Sequence, residues 1–434
     1  MKPRSIDKKF PEVYSREQHG ISRNSIDPDA LKVMYRLLRH DFKAYMVGGG
    51  VRDLLLKKRP KDFDVSTDAT PNQIKSIFGN CRIIGKRFKL AHVFFRGGKV
   101  IELSTFRDYS DPIDPQEEVL DRKARLLRDN KYGTPETDAL RRDLTINGLF
   151  YDLATFSVID YVGGMHDLKD EIVRIIGNPD ERLAEDPVRM IRAVRHAVRA
   201  NFRIEENCQR SIRNNAVLIK QCPELRVYEE LKKDLCSGYC LPILRQLDEY
   251  HLLQYLLPEL TGSFSFLLSS PSRLSVSLGH CDQLIRDGNS VSPTVVLSLI
   301  ALFGATKAVS LDQITKSDLT REDLQRSLKE SFSTLAVPRK ERGKISDLID
   351  HWYRSIILAR TGRRAPRAAD RQLQKDFYAF SACLDLTDIR SSERDAQNRQ
   401  PEEIEETGNI RRGRRRGGRR RNRRSGNRYP QAIR

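Results

Sequence analysis

Tyr45-Met46-Val47-Gly48-Gly49-Gly50-Val51-Arg52-Asp53-Leu54-Leu55-Leu56, with Asp62-Phe63-Asp64-Val65 close behind, is the stretch on which the reading of this chain turns. A short apolar run, a glycine turn and a run with helical patterning predict strand, turn and helix. The alternation of Asp62 and Asp64 with Phe63 and Val65 then predicts a strand buried on one side. Side chains alternate across a strand, so Asp62 and Asp64 project from one face while Phe63 and Val65 face the core. Two carboxylates so placed converge on one site. Two-metal phosphoryl or nucleotidyl transfer needs this, because acidic oxygens must hold a pair of Mg2+ ions roughly 3.5–4 Å apart. A solvated pair of aspartates on a strand edge has the same spacing, so D-x-D alone does not select the chemistry.

The glycine turn narrows the choice. Backbone N–H groups at the start of the Val51 helix could face a triphosphate as closely as glycine allows. Arg52, in the first helical turn, reaches toward phosphates, and Asp53 caps or braces the turn. No G-K-[ST] follows, which excludes a Walker loop. An ordinary strand-to-helix turn also uses glycine, and it is the combination with the aspartates that carries weight.

Outward from this core, Leu31, Met34, Tyr35 and Leu38 recur at helical spacing ahead of the first strand. Arg82 to Ile84, His92 to Phe95 and Val100 to Thr105 read as further strands, the last two joined as a hairpin through Gly97-Gly98. A mixed α/β domain is thus expected over residues 26–160, preceded by a polar arm over residues 1–25. Between Asp108 and Asp138 the chain is polar and rich in Asp, Glu, Arg and Pro, the pattern of a long mobile loop. Beyond Gly163-Gly164 and Pro179 the patterning is helical to about residue 385, with breaks expected near Pro223, Pro242, Pro258 and Pro293. Residues 391–434 lose periodicity, passing from an acidic stretch to an Arg/Gly block.

Two later clusters carry charge in informative patterns. Arg141-Arg142-Asp143-Leu144-Thr145-Ile146-Asn147 sets two cations beside a carboxylate at the start of an apolar segment, either a site or a helix N-terminal charge cluster. In Glu185-Asp186-Pro187-Val188-Arg189, Asp186 is a natural N-cap and Pro187 a natural first helical residue. Arg189, Arg192 and Arg195 then recur along one helix edge opposite Ile191, Val194 and Val198, the pattern of an exposed basic face. An Asp accepting from an exocyclic amine and an Arg donating to a ring acceptor could equally read a nucleobase edge.

The chain has 434 residues, 78 Lys+Arg against 59 Asp+Glu, and a net charge of +19. Residues 411 to 434 hold twelve Arg and no acid, so 19 − 12 leaves +7 for the remainder. Most of the excess positive charge therefore belongs to the tail, and the folded part is only mildly basic. Hydrophobic residues at 38% and aromatics at 7% are lean for a globular chain, consistent with a portion that builds no core. The seven cysteines include no C-x-x-C pair and no zinc-finger partner spacing, and Cys236 and Cys240 could share a helix face as packing residues. Reduced thiols in a cytoplasmic protein are expected. Met1 to Phe10 has no apolar signal core, and Val295 to Phe303 is about half a membrane span, so no membrane crossing is expected.

Taken in order, Gly49-Gly50-Val51-Arg52-Asp53, Asp62-Phe63-Asp64, Arg141 to Asn147 and Glu185 to Arg189 resemble the class II nucleotidyltransferases, which include tRNA CCA-adding enzymes and bacterial poly(A) polymerases. Arg82-Ile83-Ile84-Gly85-Lys86-Arg87-Phe88-Lys89-Leu90-Ala91-His92-Val93 and Arg16-Glu17-Gln18-His19-Gly20-Ile21-Ser22-Arg23 resemble the poly(A) polymerase branch. The likeness covers about residues 14–245 strongly and the later helices loosely. It implies an α+β fold: a polymerase-β-like nucleotidyltransferase head with a mixed sheet, an all-α neck (161–245) bearing the nucleotide/RNA-binding region and a helical body (246–390), and a disordered basic tail. It further implies Mg2+ as cofactor, held by Asp62 and Asp64, and ATP as substrate. Gly49, Gly50, Arg52, Asp53, Arg142, Asp186, Arg189, Arg192 and Arg195 become nucleotide-site residues. Asp143 is the expected third catalytic acid, with Glu102 on a following strand as the alternative. Where the family reads Arg-Phe-Ala after its E-D-P-x-R helix start, this chain has Arg195-His196-Ala197, a departure that bears on neck packing.

The activity so implied is template-independent addition of AMP from ATP to an RNA 3′-hydroxyl of mRNA and other transcripts, releasing pyrophosphate. Partners follow as RNA ends and ATP, with RNA-decay proteins possible and the protein a monomer. A CCA-adding enzyme is the nearest rival, since the Asp186/Arg189 pair suits ATP or CTP. An inert RNA-binding adaptor is a rival of another class, opposed by the joint presence of Asp62, Asp64 and Asp143. Arg411, Arg412, Arg414, Arg415, Arg416, Arg419, Arg420 and Arg421 lie in a block without aromatics, with glycines that discourage a helix, and read as a disordered polycation binding RNA phosphates.

Overall fold

The computed structural model describes residues 11–85, 89–108, 131–257, 268, 272–306, 322, 326, 337–360, 362–363 and 368–384. Most of the expected loop between Asp108 and Asp138, part of the Arg82–Val93 stretch and the whole Arg/Gly tail lie outside them.

Eight strands form one mixed sheet: β1 (Glu12–Tyr14), β2 (Ala44–Val47), β3 (Asp64–Thr67), β4 (Cys81–Ile84), β5 (Leu90–Phe94), β6 (Val100–Thr105), β7 (Leu149–Asp152) and β8 (Ser157–Asp160). Their spatial order is β1-β8-β7-β2-β3-β6-β5-β4. Only β3 and β6 run parallel, and every other pair in this sheet is antiparallel. β5 and β6 form the expected hairpin, with Gly97 and Gly98 both at φ 77° in the turn, where a side chain would be strained.

Two expectations for the N-terminal part need correction. The stretch 1–25 is not a free arm over its described part: β1 pairs with β8, and buried His19 bonds the Phe156 carbonyl. The Pro28–Leu38 helix exists, but its core face is Ala30, Val33, Met34 and Leu37, and Tyr35 is exposed. Apolar spacing located the helix while misplacing its face: Met34 is buried, whereas Tyr35 stands exposed with its hydroxyl accepting from Arg23 Nη1 at 3.3 Å.

The helical part begins after β8, where the buried Asp160 carboxylate accepts from the backbone N–H groups of Val162, Gly163, Gly164 and Met165. A β-carbon at Gly164 would lie 2.2 Å from the Thr145 carbonyl, so the Gly164–Lys169 helix packs on the head through bare backbone. The region is not purely helical, since Ile172–Val173 and Arg203–Ile204 make a short parallel pair. Pro242 breaks nothing: it sits in the first turn of the Cys240–Glu249 helix, where its missing N–H has no intrahelical partner to lose. Cys236 and Cys240 do not share a helix, because Cys236 ends the Glu224–Leu235 helix and Gly238 (φ 78°) turns the chain before the next. Among the described residues no helix is long and apolar enough to cross a membrane.

Candidate active site

Asp64 opens β3, and its register partner on parallel β6 is Glu102. Asp62 lies just before the strand; both aspartates are exposed, Phe63 between them is half-buried and Val65 is fully buried. The exposure pattern alternates even though regular pairing starts two residues later than the sequence suggests. Glu102 also faces His92 of β5, with Nε2 3.3 Å from Oε2. Burial, then the facing Glu102 and Asp62 charges, push the Asp64 carboxyl up to about 6 against the lowering pull of Arg142. Asp64 keeps an exposed surface, so the neighbouring carboxylates are the part a bound cation would relieve.

This repulsion is the observation that fits a divalent metal. Hard carboxylate oxygens crowd one another in the absence of a counter-charge, and Mg2+ is held by one or two carboxylates that leave positions for phosphates and water. Among the described residues no three or more His, Cys, Asp or Glu gather into a group that could hold a metal by themselves.

The glycine turn adjoins these acids. Gly48 has φ 70° and ψ −138°, a conformation open to glycine, and caps the Gly49–Leu55 helix. β-Carbons at Gly48, Gly49 and Gly50 would lie 3.3 Å from Arg142 Nη1, 3.4 Å from Arg52 Nη2 and 3.3 Å from the Asp62 carbonyl. Two guanidinium groups and the backbone carrying Asp62 therefore wall the turn. Gly48→Ala should cost about 1–3 kcal/mol of backbone strain and crowd Arg142. The expected result is weaker equilibrium binding of ATP together with a lowered Tm; an unchanged ATP Kd would show that the turn does not meet the nucleotide.

Arg142 Nη2 donates to Asp138 Oδ2 at 2.8 Å and to Ser66 Oγ at 3.3 Å, and its guanidinium lies 5.1 Å from the Phe150 ring centre. Arg52, buried in the glycine-turn helix, donates to Asp53 Oδ1 from Nε (2.9 Å) and Nη2 (2.8 Å) and to Asn147 Oδ1 from Nη1 (2.7 Å). Asp53 braces the arginine rather than capping a helix.

The remaining expected site residues separate. Asp143 does not join the acids: its carboxylate accepts from the Leu144 N–H at 2.8 Å, Asn147 Nδ2 at 3.3 Å and Arg192 Nε at 2.6 Å. Despite burial, the Arg192 guanidinium and the hydrogen bond from Asn147 hold it well below the usual carboxylate range. Glu102, not Asp143, is the acid that faces Asp64. The helix edge bearing Arg189, Arg192 and Arg195 is not an exposed basic face either. Arg189 is buried and bonds Glu185 Oε2 (2.7 Å) and the Arg182 carbonyl (2.6 Å). Arg195, 4% exposed, bonds the Asp234 carboxylate, Glu230 Oε2 (2.6 Å) and the Glu230 carbonyl (2.8 Å). It joins the Val188–Ala200 and Glu224–Leu235 helices. Asp186 is no side-chain N-cap: the helix begins at Val188 with Pro187 as its cap, and Asp186 Oδ2 accepts from Arg226 at 2.7 Å. Its Oδ1 is buried without a partner among the described residues.

Residue-by-residue reading missed the partners. Glu230 and Asp234 stand one helical turn apart, opposite Arg192 and Arg195 at i, i+3, a complementarity that the two helices show only when aligned. Arg182, buried, donates to the carbonyls of Arg141 (2.8 Å) and Arg142 (2.9 Å) and so positions Arg142 through its backbone; nothing in its local sequence signals this.

The head has a nucleotidyltransferase fold. The poly A polymerase head domain family model matches residues 44–174, and that described as "probable RNA and SrmB- binding site of polymerase A" matches 201–263. Poly(A) polymerase I of Escherichia coli O157:H7 is 40% identical over 395 residues, 89% of this chain and 83% of the relative, and that of Salmonella typhi is 39% identical over 87% of this chain and 81% of the relative. The chain belongs to the poly(A) polymerase I family. A CCA-adding enzyme of Staphylococcus saprophyticus is 33% identical over 54% of this chain and 56% of its own length. A solved complex of a CCA-adding enzyme with ATP shares the fold at TM-score 0.57 and 20% identity, covering 90% of this chain and 87% of that one.

Proposed function

We propose that this chain extends RNA 3′ ends with AMP from ATP, releasing pyrophosphate, and that the reaction takes place where Asp62, Asp64 and Glu102 meet the glycine turn. The observation that carries the reading is the Asp64 carboxyl, pushed up by burial and by the facing Glu102 and Asp62 charges, beside a turn walled by Arg52 and Arg142. Asp62 and Asp64 are the residues suited to hold Mg2+, with Glu102 as third acid. When bound, the metal would favour ionisation of the RNA 3′-hydroxyl and neutralise charge on the leaving pyrophosphate. Arg52 and Arg142 hold the phosphates in line and match the charge that develops on them. Asp143 acts at one remove, fixing Asn147 and Arg192.

Asp186 and Arg189 are assigned to the base edge, Asp186 through its unpaired Oδ1. Their chemistry suits adenine and cytosine alike, so nucleotide choice is tested directly. Purified protein is given an oligo-RNA or a CCA-less tRNA, Mg2+ and one nucleotide at a time. A long ladder with ATP alone is the expected result. A three-nucleotide stop requiring CTP would indicate CCA addition, and no product with any nucleotide would sink the enzymatic reading in favour of an RNA-binding adaptor.

The segment matched as an RNA-binding site and the Arg/Gly block from 411 onward are assigned to RNA capture in the cytoplasm. Removing residues 411–434 deletes twelve arginines. We expect the KM for RNA to rise on the order of tenfold at low salt and its salt dependence to flatten, with the rate at saturating RNA unchanged. A salt dependence equal to that of the full chain would remove the tail from primer binding.

A further inference from the structure

We propose that His196 is a positioning residue for the nucleotide site, its ring Nδ1 accepting a hydrogen bond from Arg52 and fixing the guanidinium so that one N–H is left for a phosphate beside Gly49. The inference rests on the assignment of Arg52 to the ATP phosphates and names a residue that acts on it.

A guanidinium has five N–H donors and no acceptor. In Arg52, Nε and one Nη2 hydrogen go to Asp53 Oδ1, and the two Nη1 hydrogens go to Asn147 Oδ1 at 2.7 Å and His196 Nδ1 at 3.0 Å. One Nη2 hydrogen has no partner among the described residues. Nη2 is also the atom nearest the position of a Gly49 β-carbon, at 3.4 Å. Three side chains from three segments thus consume every donor except one at the glycine turn. Arg52 can only donate, so Nδ1 must present its lone pair and the ring is the neutral tautomer with its proton on Nε2. Burial, the Arg52 charge and the flanking Arg192 and Arg195 favour that neutral form, against the opposing pull of Asp143.

A phenyl ring in place of the imidazole fills similar space but offers no acceptor, so with it Nη1 would keep only Asn147 and the arginine could rotate. In this chain the neck helix therefore reaches into the head and holds a phosphate-binding side chain.

The test is equilibrium binding of ATP with Mg2+ and no RNA, by calorimetry, on the full chain. His196→Phe should weaken ATP binding about fivefold to tenfold. His196→Asn, whose Oδ1 replaces Nδ1 as acceptor, should return it to within about twofold, whereas His196→Leu, of similar volume without an acceptor, should not. Arg52→Ala should weaken binding on its own, and adding His196→Phe to it should change little, because the two act through one contact. Wild-type affinity in both His196→Phe and His196→Leu overturns the proposal, as does equal weakening by His196→Asn and His196→Leu, or a full His196→Phe penalty in the Arg52→Ala background. If Arg52→Ala binds ATP like the wild type, the phosphate assignment of Arg52 fails and the proposal with it. Should His196→Phe not fold, the Asn and Leu pair draws the same distinction.

Discussion

Asp64→Asn is expected to abolish nucleotide addition, by a thousandfold at least on the order-of-magnitude scale of lost charge stabilisation, while leaving the protein as stable as before or more so. The activity loss follows from removing a charged oxygen from the set suited to Mg2+. The stability gain follows from the direction of the Asp64 shift. Its carboxyl titrates at about 6 in the folded chain against an ordinary 3.8, so the folded state binds that proton more tightly than the unfolded state. Its stabilising contribution is complete below the unfolded value and is lost as pH rises through the folded one. Near neutral pH the ionised carboxylate opposes folding, and the uncharged amide does not. Thermal unfolding without divalent ions should show a Tm at or above wild type, and the wild-type disadvantage should shrink as the buffer is made more acid. A variant retaining near-normal rates in Mg2+, or one that lost activity by unfolding, would contradict the assignment. The site thus accepts a cost in stability for its chemistry.

Arg195→Ala is expected to carry the largest stability penalty, about 3–5 kcal/mol, because it strands a buried charge. Asp234 is 1% exposed, and Arg195 and the nearby Arg199 are the cations that offset the upward push of burial and of Glu230 on its carboxyl. Replacing the pair together, Arg195→Met with Asp234→Leu, should recover much of the loss, since well-packed apolar side chains often match or exceed a buried ion pair. Urea unfolding distinguishes the cases. A loss below about 1 kcal/mol for Arg195→Ala would place this arginine among exposed, weakly contributing pairs, contrary to its burial. If Arg195 touched ATP instead, its truncation would raise the ATP Kd in protein that remains fully folded.

These two residues also mark what could be read from the amino acids alone. Asp62 and Asp64 were legible because strand geometry ties i and i+2 to one face regardless of what surrounds them. The glycine turn was legible because the chain changes periodicity on either side of it. The parallel pairing that places Glu102 opposite Asp64 was not, since register across a crossover depends on partners far along the sequence. For the same reason the surroundings of Asp143, which the family resemblance made the expected third acid with Glu102 as the alternative, were not legible: its partner Arg192 lies 49 residues on. The arginines of the Val188–Ala200 helix show the limit of amphipathic reasoning. A row of cations on one edge looks solvated until a facing helix brings Glu230 and Asp234 to meet it.

Locating Mn2+ by anomalous scattering, in crystals of the wild-type chain with a non-hydrolysable ATP analogue, tests the assignment of the reaction to the Asp62/Asp64 pair most directly. The account predicts metal between the two carboxylates, with the triphosphate lying against Gly48 to Gly50 and within reach of Arg52 and Arg142. Metal held at Asp143 or elsewhere, with Asp62 and Asp64 unliganded, would contradict it.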